Sequence, residues 1–237
     1  MIYEEHLAAA ERGAWPLETR IAWDRIDRET AASEPDVHAA LYDAALIEGY
    51  LPVFVPRLMR LAWDDVDATA VLSLELYEGL RHYTALKRYL ERVEYAPAAA
   101  MEENLVEARR GAIDLPYDRA DLLEHLTNFM CSELFAARFF QSLSRRSREP
   151  VLRKLLSTMA RDEFRHSAAA GDLLRKRVEA DPSAVDRILA AAESFRHYGS
   201  DVVEVPVAER NDFQAVLAIN RKVRQVCGIA PTEHLQA

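Results

Sequence analysis

The stretch RDEFRHSA, residues 161–168, decides how the rest of the chain is read. Glu163 stands three residues before His166. On an α-helix such a pair lies ~60° apart around the axis and ~4.5 Å along it, so both side chains reach one ion. Alone, Glu-x-x-His is a weak signal, because chance matches are common and most face solvent. A near-twin raises its weight: LYEGLRHY, residues 76–83, again carries Arg-His behind an acid. There Glu78 is four residues before His82, and Gly79 occupies the three-back position. An i, i+4 pair lies ~40° apart and ~6 Å along the axis, which leaves both groups on one face. Glu75, one turn upstream of Glu78, is placed to replace or supplement it.

Both stretches fall in helical surroundings. The 237 residues contain only seven glycines and abundant Ala, Leu, Glu and Arg, a helical composition. Helical periodicity is nearly continuous, and no alternation of strands with helices is found. After a short segment at roughly 17–28, the pattern predicts long helices over about 35–62, 65–94, 118–145 and 149–179. Pro52 and Pro56 predict a kink in the first. A connection with Pro97 and Pro116 separates the second from the third, with a short helix near 99–110. A further helix is expected over 183–198, an extended piece at DVVEVPVAE (201–209), and a last helix over 210–226. The expected fold is all-α: one domain, 1–237, with a four-helix bundle at about 35–180 and C-terminal helices at about 183–226.

The other two long helices each carry one acid inside an apolar stripe. In the first, Glu48 sits among Leu41, Ala45, Leu51 and Val55. In the third, Glu133 sits among Leu122, Leu126, Phe129, Ala136, Ala137 and Phe140. A carboxylate inside such a stripe is costly unless it is paired, protonated or bound to a cation. Counted along the chain, the four helices supply a Glu, a Glu/His pair, a Glu and a Glu/His pair. This is the ligand arithmetic of dimetal carboxylate bundles. Carboxylates with imidazole and open positions favour iron, with manganese also possible.

Composition narrows the partners. The net charge of −9 argues against nucleic acid, whose binding requires Lys and Arg to neutralise phosphates. No apolar run approaches the ~20 residues of a membrane span, and MIYEEHLAAAERG does not read as a secretory signal. Cys131 and Cys227 have no zinc or disulfide spacing, so a reducing, cytoplasmic setting is expected. One basic cluster, SRRSREPVLRKLL, reads as a solvated loop and helix start.

Four stretches together resemble a known family. MARDEFRHSAAAGDLLRKRVEADPS (159–183) is similar to the last ligand helix of the soluble acyl-acyl-carrier-protein desaturases, members of the ferritin-like di-iron superfamily. IEGYLPVF (47–54), EGLRHYTALKRYL (78–90) and SELFAARFF (132–140) resemble that family's first, second and third ligand helices. The resemblance covers roughly residues 40–200. It implies a ferritin-like bundle holding two iron ions on Glu48, Glu78, His82, Glu133, Glu163 and His166. It also implies an oxygen-dependent oxidase acting on an acyl chain held by an acyl-carrier protein, with an external electron donor such as a ferredoxin, in a homodimer. Asp162 and Arg81 are expected to orient the histidines.

Two positions depart from the family pattern: Gly79 replaces the inner Glu of the second helix, and Ala136 replaces a Thr after the third-helix Glu. Three readings of Gly79 stay open. Glu78 binds from i−4, or a π-bulge near Gly79 re-aims it, or one metal position is degraded. A di-iron N-oxygenase or another small-molecule oxidase is an alternative, although Met159 stands where the N-oxygenases carry a further His. A metal-poor helical binding or assembly protein is a second alternative, and iron storage a third. His125 lies two turns before Glu133, within possible reach of the site. Tyr83 and Phe129 are possible channel residues, and Trp15, Trp23 and Trp63 read as packing.

Overall fold

The computed structural model describes residues 1–110, 122–203 and 213–230. Among these residues all regular structure is helical, with no strand. The elements are α1 (Ile2–Gly13), α2 (Leu17–Arg20), a 3-10 turn (Trp23–Arg25), α3 (Arg28–Ala32), α4 (Pro35–Leu61), α5 (Val66–Arg92), α6 (Ala98–Arg110), α7 (Leu122–Arg146), α8 (Pro150–Ala180), α9 (Ala184–Glu193), a second 3-10 turn (Tyr198–Asp201) and α10 (Phe213–Val226). No helix among the described residues is long and apolar enough to cross a membrane.

Local chemistry sets the helix ends. Pro35 and Pro150 open α4 and α8, where a missing N–H costs nothing. Asp65 caps α5 by accepting from the Ala68 N–H at 3.1 Å. Buried Glu149 caps α8 by accepting from the N–H groups of Val151 (3.1 Å) and Leu152 (2.6 Å). Each such cap is worth about 1 kcal/mol. The basic stretch before α8 is tied down as well: Arg148 N–H (2.6 Å) and the Ser147 hydroxyl (2.8 Å) donate to buried Glu34 at the start of α4.

Helix α4 is one continuous helix from Pro35 to Leu61 through Pro52 and Pro56. Each proline still removes one intrahelical donor, from the carbonyls of Glu48 and Pro52. Helix α9 stops at Glu193 rather than 198. Beyond it the His197 ring accepts from the Gly199 N–H at 2.9 Å, a local bond that competes with helix continuation. Val202 and Val203 sit in a turn and bend, and residues 204–209 of the expected extended piece lie outside the described residues. So do Pro116 and the expected start of the third helix near 118.

The four long helices position the site. Helix α4 packs along α5, and α7 along α8; α5 also meets α8, and α4 meets α7. Helix α1 lies against α5 and α8, α6 against α4 and α5, and α9 and α10 against α7 and α8. The apolar interior falls into two main clusters. One contains Leu41, Ala45, Leu86, Phe140, Leu155 and Met159. The other contains Leu51, Val55, Leu72, Phe129, Ala170 and Leu174. On every long helix the inward acids lie between the residues of the two clusters, so a polar layer crosses the middle of the core.

Candidate metal centre

Two groups of buried side chains meet in that layer. In one, ligand atoms of Glu75, Glu133, Glu163 and His166 all lie within 4.8 Å of one another. In the other, Glu48, His82 and Glu163 do the same. Glu163 belongs to both and lies between the two imidazoles, whose centroids are 6.0 Å apart. His166 Nδ1 is 2.9 Å from Glu163 Oε2, 2.9 Å from Glu75 Oε2 and 3.5 Å from Glu133 Oε2. His82 Nδ1 is 2.7 Å from Glu163 Oε1 and 3.7 Å from Glu48 Oε2.

Each histidine turns its Nδ1 inward and its Nε2 outward to an acid on the opposite helix. His166 Nε2 lies 2.8 Å from Glu78 Oε2, and His82 Nε2 lies 3.3 Å from Asp162 Oδ2. A carboxylate accepts, so with a cation bound each ring would keep its proton on Nε2 and offer the Nδ1 lone pair; in the metal-free chain the inner carboxylates favour a proton on Nδ1 as well. Arg165 holds both outer acids. Its Nη2 donates to Glu78 at 2.7 and 2.6 Å, and its Nη1 to Asp162 at 2.9 Å. Trp15 Nε1 donates to Asp162 at 2.6 Å.

The electrostatics are those of a cluster short of positive charge. Burial, reinforced by the Glu163 charge, pushes Glu48 up to about 7. Burial, with Glu75 and Glu163 beside it, holds Glu133 well above the carboxylate range, and burial raises Glu75. Burial also acts to raise Glu163, but the two imidazoles overcome it and hold that acid well below its usual value. Burial acts to lower His82 and His166, and the surrounding carboxylates win, raising both well above 6.5. Burial opposes ionisation of Asp162 too, yet His82, Trp15 and Arg165 bring it down to about 2.

The residues fit a pair of divalent cations. His82 Nδ1, Glu133 Oε2 and Glu163 Oε1 are buried with no hydrogen-bond partner. His82 Nδ1 and Glu163 Oε1 are 2.7 Å apart without hydrogen-bond alignment, so their lone pairs converge on common space. Four inner carboxylates balance two divalent charges, and two neutral imidazoles complete a donor set suited to iron or manganese.

The structure brings together Glu48, His82, Glu133, Glu163 and His166, and it corrects the second-helix acid. Glu75 faces the cluster, while Glu78 lies outside it on Arg165 and His166. No π-bulge re-aims Glu78, since α5 is regular α-helix across Gly79. A Cβ on Gly79 would meet Leu51 Cδ1 at 2.1 Å and Glu48 Oε2 at 3.2 Å. The space of an inner Glu at 79 is therefore filled from α4. Asp162 meets His82 Nε2, whereas Arg81 contacts neither histidine: it donates to the Trp15 carbonyl and stacks on the Trp15 ring at 4.7 Å. Arg165 has the role expected of Arg81. His125 is not in either group.

Sequence reasoning missed three participants. Arg165 was visible in principle, one turn after Asp162 on the same helix. Trp15 and Tyr198 were not, since neither shares a helical period with a ligand. The Tyr198 hydroxyl donates to Glu133 Oε1 at 2.8 Å, and its ring stacks on Phe54 at 5.0 Å. Burial and the nearby carboxylates keep that phenol protonated. Comparison with known proteins adds no relative: no family model and no curated protein matches the chain.

Proposed function

We propose that this chain is a di-iron, oxygen-dependent oxidoreductase built on a ferritin-like four-helix bundle. The observation that carries the reading is the pair of buried Glu/His groups sharing Glu163. Two iron ions held there would supply oxygen activation and the oxidation of a bound substrate. Glu48, His82 and Glu163 would hold one ion; Glu75, Glu133, Glu163 and His166 the other. Asp162 and Glu78 fix the imidazole orientations. The Tyr198 hydroxyl holds one oxygen of Glu133 and leaves the other, Oε2, without a hydrogen bond. Electrons would come from an external donor of the ferredoxin type. A carrier-bound acyl chain and a homodimer belong to this proposal through the resemblance alone.

Anaerobic reconstitution with ferrous iron followed by metal analysis tests it. The expected result is two irons per chain and an absorbance change on admitting oxygen. A chain that takes up no iron, and whose melting temperature does not move when iron is added, would sink the reading in favour of a metal-free helical binding protein.

A further inference from the structure

A cavity of about 290 Å³ opens between α4 and α7 and runs down to the metal centre. Its outer end is formed by exposed Asp36, Ala39 and Arg146; its inner end by buried Glu48, Phe140 and Tyr198. Ile47, Phe135 and Phe139 make the walls, and Ala40, Ala44 and Ala136 leave the space open. Tyr83 and Phe129, considered for such a channel from sequence, do not line it.

The cavity carries one acid that its surroundings do not explain. Asp43 is half-buried in the wall, and burial alone raises its carboxyl, with no cation acting on it among the described residues. Among the described residues of the lining, Arg146 is the one permanent cation. It is exposed at the outer end, where water screens it, and forms no ion pair with either acid. A carboxylate facing an apolar cavity without a partner is unfavourable, and a bound cation relieves it. With Asp36 at the entrance, the acids draw in cations and repel carboxylates and phosphates.

We propose that this cavity binds a small molecule with a cationic amine seated on Asp43 and an apolar body directed at Glu48. Five residues of α4 separate these acids, ~7.5 Å along the helix, enough for one ring and a short linker. Aromatic walls suit a ring. The assignment of this ligand as substrate rests on the dimetal reading; its binding does not.

Calorimetry on the metal-free chain with 3-phenylpropylamine, 3-phenylpropanol and 3-phenylpropionate tests this. The amine is expected to bind about tenfold or more tighter than the alcohol, with the carboxylate weakest. Asp43→Asn should remove the amine's advantage over the alcohol, in a chain whose melting temperature is no lower than that of the parent. Ala40→Leu, which fills the cavity from its partly exposed side, should weaken amine and alcohol alike. Equal affinity for all three probes, no binding of the amine, or unchanged amine affinity in Asp43→Asn would each overturn the proposal. Iron content measured on the same preparations reads the metal centre separately. Amine binding without iron uptake leaves the cavity assignment standing and removes the oxidase; iron uptake without amine binding does the reverse.

Discussion

Helix α8 sets its inward acid, Glu163, one turn before His166, whereas α5 sets its inward acid, Glu75, two turns before His82. Between Glu75 and His82, α5 carries Glu78, which points to Arg165 and His166 instead. The two helices nevertheless deliver the same product: an imidazole with Nδ1 inward, and an outer acid that holds the other helix's imidazole by Nε2. Seven residues along a helix return to within ~20° of the starting direction, so Glu75 and His82 share a face more closely than Glu163 and His166, which lie ~60° apart. The lesson is that the fixed quantity is the crossing of donors between helices, and the spacing along one helix is free to change.

The strongest way to break the comparison is through the acid that both groups share. Glu163→Ala removes a donor from each group, and metal analysis should fall from two ions per chain to none. The two acids of α5 come next. Glu75→Ala should lose the ion on the His166 side, with the other retained. Glu78→Ala keeps every inner donor and should weaken metal affinity by about 10–100-fold without changing the stoichiometry at saturation. If Glu78→Ala drops the stoichiometry and Glu75→Ala does not, the assignment within α5 is reversed.

Protonation supplies the third test. In the metal-free chain the folded state keeps the Glu48 proton to about pH 7, while the unfolded chain releases it near 4.5. Between those values the folded state binds more protons, so stability falls as pH rises. Raised His82 and His166 act in the same direction at higher pH, losing their contribution as pH climbs through their folded values. Asp162, brought down to about 2, acts oppositely: its contribution is lost as pH falls from about 4 towards 2. The metal-free melting temperature should therefore peak at mildly acid pH and drop by several degrees towards pH 8. Metal loading should flatten that drop and release protons as the ions bind, seen as a pH-dependent uptake. A metal-free melting temperature that rises steadily to pH 8 would contradict the arrangement.

The smallest effect probes why α5 differs from α8 at all. Gly79→Ala pushes a methyl against the buried Leu51 side chain. The expected cost is about 1–3 kcal/mol of stability, read as a lower thermal midpoint with metal stoichiometry kept. An unchanged midpoint would mean that Leu51 moves aside freely and that glycine is not needed there.

Much of this was legible because it was local. The pair Glu163 and His166 lies one turn apart on one helix, and Glu48 and Glu133 stood out as acids in apolar stripes. The choice between Glu75 and Glu78 was not legible. Both have acceptable angular positions relative to His82, and what separates them is Arg165 on α8, which claims Glu78 in space. The inward reach of Trp15 and Tyr198 depends on where short segments lie against the long helices, which periodicity does not encode. For the same reason the cavity beside Asp43 appears only once α4 and α7 are packed.

The polar layer across the core has a consequence for folding as well as for chemistry. Leucine-rich helices are tolerant of sliding, because one apolar turn resembles the next. Here a one-turn slip of α8, about 5.4 Å, would carry Glu163 into one of the apolar clusters on either side and leave a charge there without a partner, at a cost of several kcal/mol. Glu48, Glu75 and Glu133 impose the same penalty on α4, α5 and α7. The carboxylates thus act as alignment pins, fixing the relative heights of four otherwise interchangeable apolar helices.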